Sequence, residues 1–187
     1  MNLPDTIILI FAASTNIFAV SIIAHIHKCL KGFDKLKVIA FFTLIPLLLY
    51  YAGTAITGLV QSFFPDLDRW MMLVVFLILG IRYILKAFKM KSEERLYDYT
   101  QWSVLLGLSI AIGMDYLILG LGFKFSNYNP QIVLILLLVF AILATLIGFI
   151  WGKKTGKFVW GNRMLYLGGL LFIGIALKGL IQLLGLV

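Results

Sequence analysis

The chain has 187 residues, 62% of them apolar and 13% charged, with a formal net charge of +8 and a mean hydropathy of +1.04. A soluble domain of this size needs far more polar surface than that, so the composition excludes one. The basic excess is spread over short connections between apolar stretches, a distribution that membrane orientation explains without nucleic acid as a partner.

Six apolar runs, approximately Thr6–Ile26, Val38–Phe63, Trp70–Phe88, Trp102–Phe123, Ile132–Trp151 and Met164–Val187, occupy nearly the whole chain. Each approaches the roughly 20 residues that cross a hydrocarbon core about 30 Å thick. The expectation is one all-α transmembrane domain over residues 1–187, with no soluble module.

The first run lacks the pattern of a cleaved signal, because no Lys or Arg precedes it while Lys28, Lys31, Lys35 and Lys37 follow it. That charge order predicts a first helix with its N-terminus outside. Its centre reads Ala12-Ala13-Ser14-Thr15-Asn16, with Ser21 beyond. Ser14 and Thr15 suit helix packing as well as an ion path. Near its end lie His25, His27 and the single cysteine, Cys29. His25 and Cys29 share a helix face, but a stable metal site needs more ligands, so these read as amphipathic residues at headgroup level. One cysteine excludes an internal disulfide and a dithiol relay.

The second run carries Thr43 and Pro46; the proline removes a backbone donor and frees a carbonyl one turn back. Such irregular backbone is tolerated where it lines a cavity. The third run contains Arg82, expected to snorkel to the cytoplasmic surface. The fourth contains Asp115, the only acidic residue deep in any run, about 18 Å from the start of its helix. Burying a carboxylate there costs about 2.5–3.5 kcal/mol, so it should serve an ion path or have a structural partner. The fifth run holds Gly148, Gly152 and Gly156, four apart, a smooth face for close packing. The sixth holds Lys178, the candidate partner of Asp115 should that carboxylate belong to a buried ion pair.

Thirteen basic residues fall in the first, third and fifth connections and two, Arg69 and Lys124, in the second and fourth. Basic short loops stay in the cytoplasm, so both termini are expected outside a plasma membrane, most simply a bacterial inner membrane.

Marks recur in order along the two halves: Asn16 and Asp115 with small residues at matching offsets, Thr43-Leu44-Ile45 and Thr145-Leu146-Ile147, Gly80-Ile81 and Gly174-Ile175, at spacings of 99, 102 and 94 residues. Three helices per half put the second half in the opposite orientation. The expectation is two inverted three-helix repeats, residues 1–95 and 96–187, with a substrate site near the midplane between them.

The motifs Asn16-Ile17-Phe18-Ala19-Val20-Ser21, Thr43-Leu44-Ile45-Pro46, Gly80-Ile81-Arg82, Gly113-Met114-Asp115 and the ending Leu167-Gly168-Gly169-Leu170-Leu171-Phe172-Ile173-Gly174-Ile175 resemble the MntP family of manganese efflux pumps, within the wider lysine-exporter superfamily. The resemblance covers essentially the whole chain. It implies cation efflux, with Asp115 and Asn16 as the metal ligands. Family members carry an aspartate in each half; here the first is Asn16, followed by Ile17. Phe42 stands where a polar residue four before the proline is common, and Tyr116 and Leu117 stand where small residues are favoured. One carboxylate and one amide leave a divalent ion half compensated.

The expected function is therefore a membrane transporter with an altered or weakened metal site. Its pathway would use Asn16, Asp115, Ser14, Ser21, Thr43 and Lys178. No resident cofactor is expected, with Mn²⁺ or another cation as substrate and the lipid bilayer as surroundings. The alternatives are a non-transporting scaffold or regulatory homologue, and an exporter of another small solute. An enzyme is not expected, since one central carboxylate cannot form an aspartyl dyad and no Ser–His pair lies in the runs.

Overall fold

A computed structural model describes residues 3–27, 32–63, 68–90, 101–125, 129–155 and 159–184. Six α-helices follow one another: α1 (Leu3–His27), α2 (Gly32–Phe63), α3 (Asp68–Met90), α4 (Trp102–Phe125), α5 (Pro130–Thr155) and α6 (Val159–Leu183). Each contains a stretch long and apolar enough to cross a membrane. There is no strand among the described residues. The helical state is what a bilayer imposes, because each backbone N–H must find a carbonyl within its own segment. The chain is a multi-pass, all-helical membrane protein.

The helices overrun the apolar runs at several ends. α2 begins at Gly32, ahead of the apolar run from Val38, and takes in Asp34 and Lys37, which pair at 3.6 Å. The Lys37 ammonium also lies 4.8 Å from the Phe33 ring centroid and 5.2 Å from that of Trp102. α6 begins at Val159, so that Trp160 meets Trp151 edge-on at 5.9 Å. Helical hydrogen bonding continues into the headgroup layer, where amphipathic aromatics and cations are well solvated, so hydropathy alone places these ends too far inward.

α1 is the central helix. Of its membrane-crossing window 72% is buried, against 33–44% for the other five. It packs against α5, α6 and α4; α2 packs against α4 and α5; α3 packs against α6 and α4. Large apolar side chains such as Leu44, Leu48, Ile135, Ile150 and Leu170 are exposed on the outer surface, as a bilayer permits and water does not.

Two crossings are set by missing side chains. A Cβ on Gly80 of α3 would stand 3.0 Å from the Gly169 carbonyl of α6, and one on Gly169 would stand 3.0 Å from the Gly80 carbonyl. Gly120 of α4 lies in the same way on the Tyr50 carbonyl of α2, where a Cβ would overlap the backbone. Close approach of this kind is how helices gain packing energy where no water drives them together. An aromatic layer then joins four helices. Phe76 stands 6.0 Å from Phe123 and 6.4 Å from Phe172, and Tyr50 stands 6.5 Å from Phe123, between ring centroids.

Candidate functional site

Asp115 lies near the middle of α4, between Gly113, which packs on Leu49 of α2, and Gly120. That crossing fixes the face of α4 turned to α2 and leaves Asp115 facing α1 and α3. The residue is 1% exposed. Its carboxylate is contacted by three nitrogen groups from two other helices. The Asn16 Nδ2 of α1 donates to Oδ2 at 2.6 Å. The Lys86 ammonium of α3 donates to the same oxygen. The Arg82 Nε of α3 stands 2.9 Å from Oδ1 as an ion pair. Its direction is off the line of a hydrogen bond, so Oδ1 is a buried oxygen with no hydrogen-bond donor among the described residues.

Arg82 and Lys86 reach one carboxylate because residues four apart share a helix face. Tyr83 anchors that turn of α3. Its hydroxyl donates to the Ala13 carbonyl of α1 at 3.0 Å, and its ring meets Phe172 at 5.2 Å. The Lys86 ammonium lies 5.6 Å from the centroid of the same ring. Tyr83 therefore holds α3 against α1 one turn from Asn16.

Charge is the dominant feature of the site. One carboxylate faces two cations, an excess of one positive charge. At an effective dielectric of 20, each unit charge about 4 Å from another contributes roughly 4 kcal/mol. A further cation arriving with both partners in place meets more repulsion than attraction. The Asn16 amide is oriented by the same field. It turns its NH₂ to the carboxylate, because its carbonyl there would repel it. For Asn16 to offer oxygen to an ion held by Asp115, the amide must rotate.

Asn16 and Asp115, 99 residues apart in the sequence, are thus in direct contact. Lys178 is not the partner of Asp115. It bonds Asp5 at 2.7 Å, at the end of the α1–α6 contact near the N-terminus of α1. The reason is direction along the helices: Asp115 is near the middle of α4, while Lys178 is in the last third of α6, level with the first turn of α1. Arg82 does not snorkel away either, since a carboxylate within reach outcompetes the surface. Lys86 is the site residue that sequence reasoning missed. In the sequence it is one of the thirteen basic residues of the first, third and fifth connections, and its four-residue spacing from Arg82 is the available signal.

The remaining candidates are dispersed along α1 and α2. Ser14 Oγ donates to the Phe11 carbonyl at 2.7 Å and Thr15 Oγ1 to the Ala12 carbonyl at 2.7 Å, so both hydroxyls are turned onto their own helix. The hydroxyls of Ser21 and Thr43 are buried with no hydrogen-bond partner among the described residues, as are those of Tyr50, Ser109 and Tyr116. Phe42 and Tyr116 are fully buried; Tyr116 adjoins Asp115 in α4, whereas Phe42 follows Phe41, which packs on Trp102 at the start of α4. Cys29 and the side chains of His25 and His27 lie outside the described residues. Among the described residues no three His, Cys, Asp or Glu side chains gather as a metal cage would require.

Residues 30–180 match the profile of the Mntp family, described as "Putative manganese efflux pump". Proteins bearing that name are similar over nearly the full length. One from Methanothermobacter thermautotrophicus is 26% identical over 187 residues, covering 97% of each chain. One from Yersinia enterocolitica is 30% identical over 180 residues, 94% of this chain and 93% of the relative. One from Dehalococcoides mccartyi is 27% identical over 185 residues, 95% and 93% respectively. No solved structure matches the chain.

Proposed function

The chain belongs to the MntP family of manganese efflux pumps, membrane transporters, and from that premise we propose that it exports a small cation through a central site whose one negative charge is Asp115. The observation that carries this reading is a carboxylate buried in mid-helix and reached from α1 and α3 together. Ionisable groups at that depth mark ion pathways. The reading takes Mn²⁺ as a substrate held weakly, because Asn16 replaces a charge with an amide and two cations compete for the carboxylate. It needs no cofactor, and a non-transporting scaffold is not favoured.

The proposed pathway follows α1. Asp5 and Lys178 close its outer mouth, with Ser14 below them. Asn16 and Asp115 form the centre, and the free hydroxyls of Ser21 and Thr43 line the inner half. The orientation, with both termini outside a bacterial inner membrane, rests on the thirteen-to-two distribution of basic residues.

The two halves, 1–95 and 96–187, are proposed to be inverted repeats. The helix neighbours support it: exchanging α1 with α4, α2 with α5 and α3 with α6 turns the set of principal packing pairs into itself. The contact of Asn16 with Asp115, 99 residues apart, is what two equivalent positions beside a two-fold axis would make.

The test is flux in reconstituted vesicles with separate gradients of Mn²⁺, Co²⁺, Na⁺ and K⁺. At least one cation should cross with the native protein and none above the empty-vesicle rate with Asp115→Asn. Equal flux with both proteins would remove Asp115 from the pathway.

A further inference from the structure

We propose that the hydroxyls of Ser21, Thr43 and Ser109, with the main-chain carbonyl of Phe42, form a neutral-oxygen site for an alkali cation such as Na⁺, separate from Asp115. The site goes beyond the export reading and stands without it, because it uses none of the charged groups of the centre.

The helices that carry it form a closed ring. α1 packs against α4 and α5, and α2 packs against the same two helices. α2 and α4 run in the same direction, since Phe41 meets Trp102, Leu49 meets Gly113 and Gly53 meets the Leu117 carbonyl, in rising order on both. The last two pairs are each 64 residues apart and Thr43 is 66 from Ser109, so these two lie within about 3 Å of one level. Ser109 shares a face of α4 with Gly113 and Gly120, which touch α2, and Thr43 shares a face of α2 with Tyr50, whose carbonyl meets Gly120.

α1 runs against α4. It opposes α6, where Thr15 lies beside Gly168 and Asp5 beside Lys178; α6 opposes α3, where Gly169 lies beside Gly80 and Gly179 beside Leu73. In turn α3 opposes α4, where Arg82 meets Asp115 and Phe76 meets Gly122. Ser21, five residues beyond Asn16, and Ser109, six before Asp115, are therefore on the same side of the Asn16–Asp115 contact, about 7.5 and 9 Å from it along their helices. Gly148 of α5 packs on Ser21 from the other side of the ring.

Ser21 and Ser109 are fully buried and Thr43 nearly so, and none of the three hydroxyls has a hydrogen-bond partner among the described residues. Other hydroxyls in these helices behave differently. Those of Ser14, Thr15, Thr54, Thr57 and Thr145 each donate to a carbonyl one turn back. A buried unpaired hydroxyl is costly, and three at one level, from three helices, point to a shared ligand. Pro46 supplies a fourth oxygen. It has no N–H to give to the Phe42 carbonyl four residues earlier, so that carbonyl, beside Thr43, lacks its helical donor.

All four oxygens are neutral, and α1, α2, α4 and α5 carry no charged side chain at this level. A hard monovalent cation accepts hydroxyl and carbonyl oxygens in place of water. A divalent ion does not fit, because the cost of dehydration rises steeply with charge and nothing here compensates it. An anion would be repelled by the Phe42 carbonyl.

The test is thermal melting of the full chain in detergent, titrated with Na⁺ against choline at constant ionic strength. Na⁺ at ten times the concentration of half-saturation should raise the native melting temperature by about 3–6 °C. Asp115→Asn should keep that shift, which places the ion away from the carboxylate. Thr43→Val and Ser109→Ala should each lose it while melting in choline no lower than the native protein, since the hydroxyl removed has no partner to lose. Thr43→Ser, which retains the hydroxyl, should keep it. Absence of a Na⁺ shift in the native protein overturns the site, whether or not the variants fold. So does a shift lost in Asp115→Asn, or kept in both Thr43→Val and Ser109→Ala. Thr43→Val or Ser109→Ala melting far below the native protein in choline would show that the hydroxyl is bonded within the protein, and overturns the site as well. A hydroxyl-dependent Na⁺ shift in a protein that moves no cation across vesicles would remove the export reading and leave the site standing.

Discussion

Asn16 donates its amide to the carboxylate of Asp115 across 2.6 Å, joining α1 to α4 at the centre of the bundle. The amide is the weakest of the three groups on that carboxylate, since the other two carry full charges. Its value is positional: a neutral group where a second negative charge would balance Arg82 and Lys86.

Asn16→Asp therefore brings the centre to two negative and two positive charges at nearly constant side-chain volume. Divalent preference should increase, and a net gain of about 1.4 kcal/mol would be tenfold in binding. Manganese-sensitive cells lacking their own exporter should be protected weakly by the native chain and better by the variant. Strong protection by the native chain, unchanged by the substitution, would show that Asn16 does not limit metal transport.

Arg82→Met removes the fixed cation and leaves Asp115 with Lys86 and Asn16. Breaking a fully buried ion pair costs about 3–5 kcal/mol. Arg82 is about one-third exposed, so its own loss should destabilise by less, roughly 1–3 kcal/mol. A melting temperature in detergent equal to that of the native protein would show that the pair contributes nothing to stability.

The Asp5–Lys178 pair should behave differently. Lys178 is nearly half exposed, and an ion pair of that kind contributes about 0–1 kcal/mol, so Lys178→Met should hardly move the melting temperature. It should open the outer mouth. In a background with Cys29 replaced by serine, a cysteine introduced by Ser14→Cys should react faster with a membrane-impermeant reagent from outside once Lys178 is changed. An unchanged reaction rate would place Lys178 off the pathway.

Gly120→Val tests the crossing that orients Asp115. The new side chain meets the Tyr50 carbonyl, which is backbone and cannot turn aside, and overpacking of this kind costs about 1–3 kcal/mol or more. Both melting temperature and cation flux should fall. Gly174→Ala is the control, since a Cβ there meets nothing within 4 Å. Equal behaviour of the two variants would mean the α2–α4 distance is not critical.

The orientation is open to direct labelling. A cysteine at Lys154, at the end of α5, should resist an impermeant reagent applied from outside until the membrane is breached. Prompt labelling from outside would reverse the topology.

Hydropathy determined the six helices and their order, because a bilayer admits few other ways to satisfy a backbone, and the chain reads as apolar runs separated by charge. The unusual cost of Asp115 was legible for the same reason: a carboxylate in mid-run has to be explained. Its expected pairing with Asn16 in the two halves also pointed to their meeting. Which cations serve Asp115 was decided by the tertiary structure alone. Lys178 and Lys86 are both lysines on apolar helices, and beyond the four-residue spacing of Lys86 from Arg82 nothing local distinguishes them. The close α3–α6 crossing at Gly80 and Gly169 and the tether of Tyr83 to Ala13 fix how α3 stands against α1 and α4. That placement puts Arg82 and Lys86 on the carboxylate and leaves Lys178 level with Asp5. Ion pairing depends on a few ångströms of helix register, and register is set by packing between segments far apart in the chain.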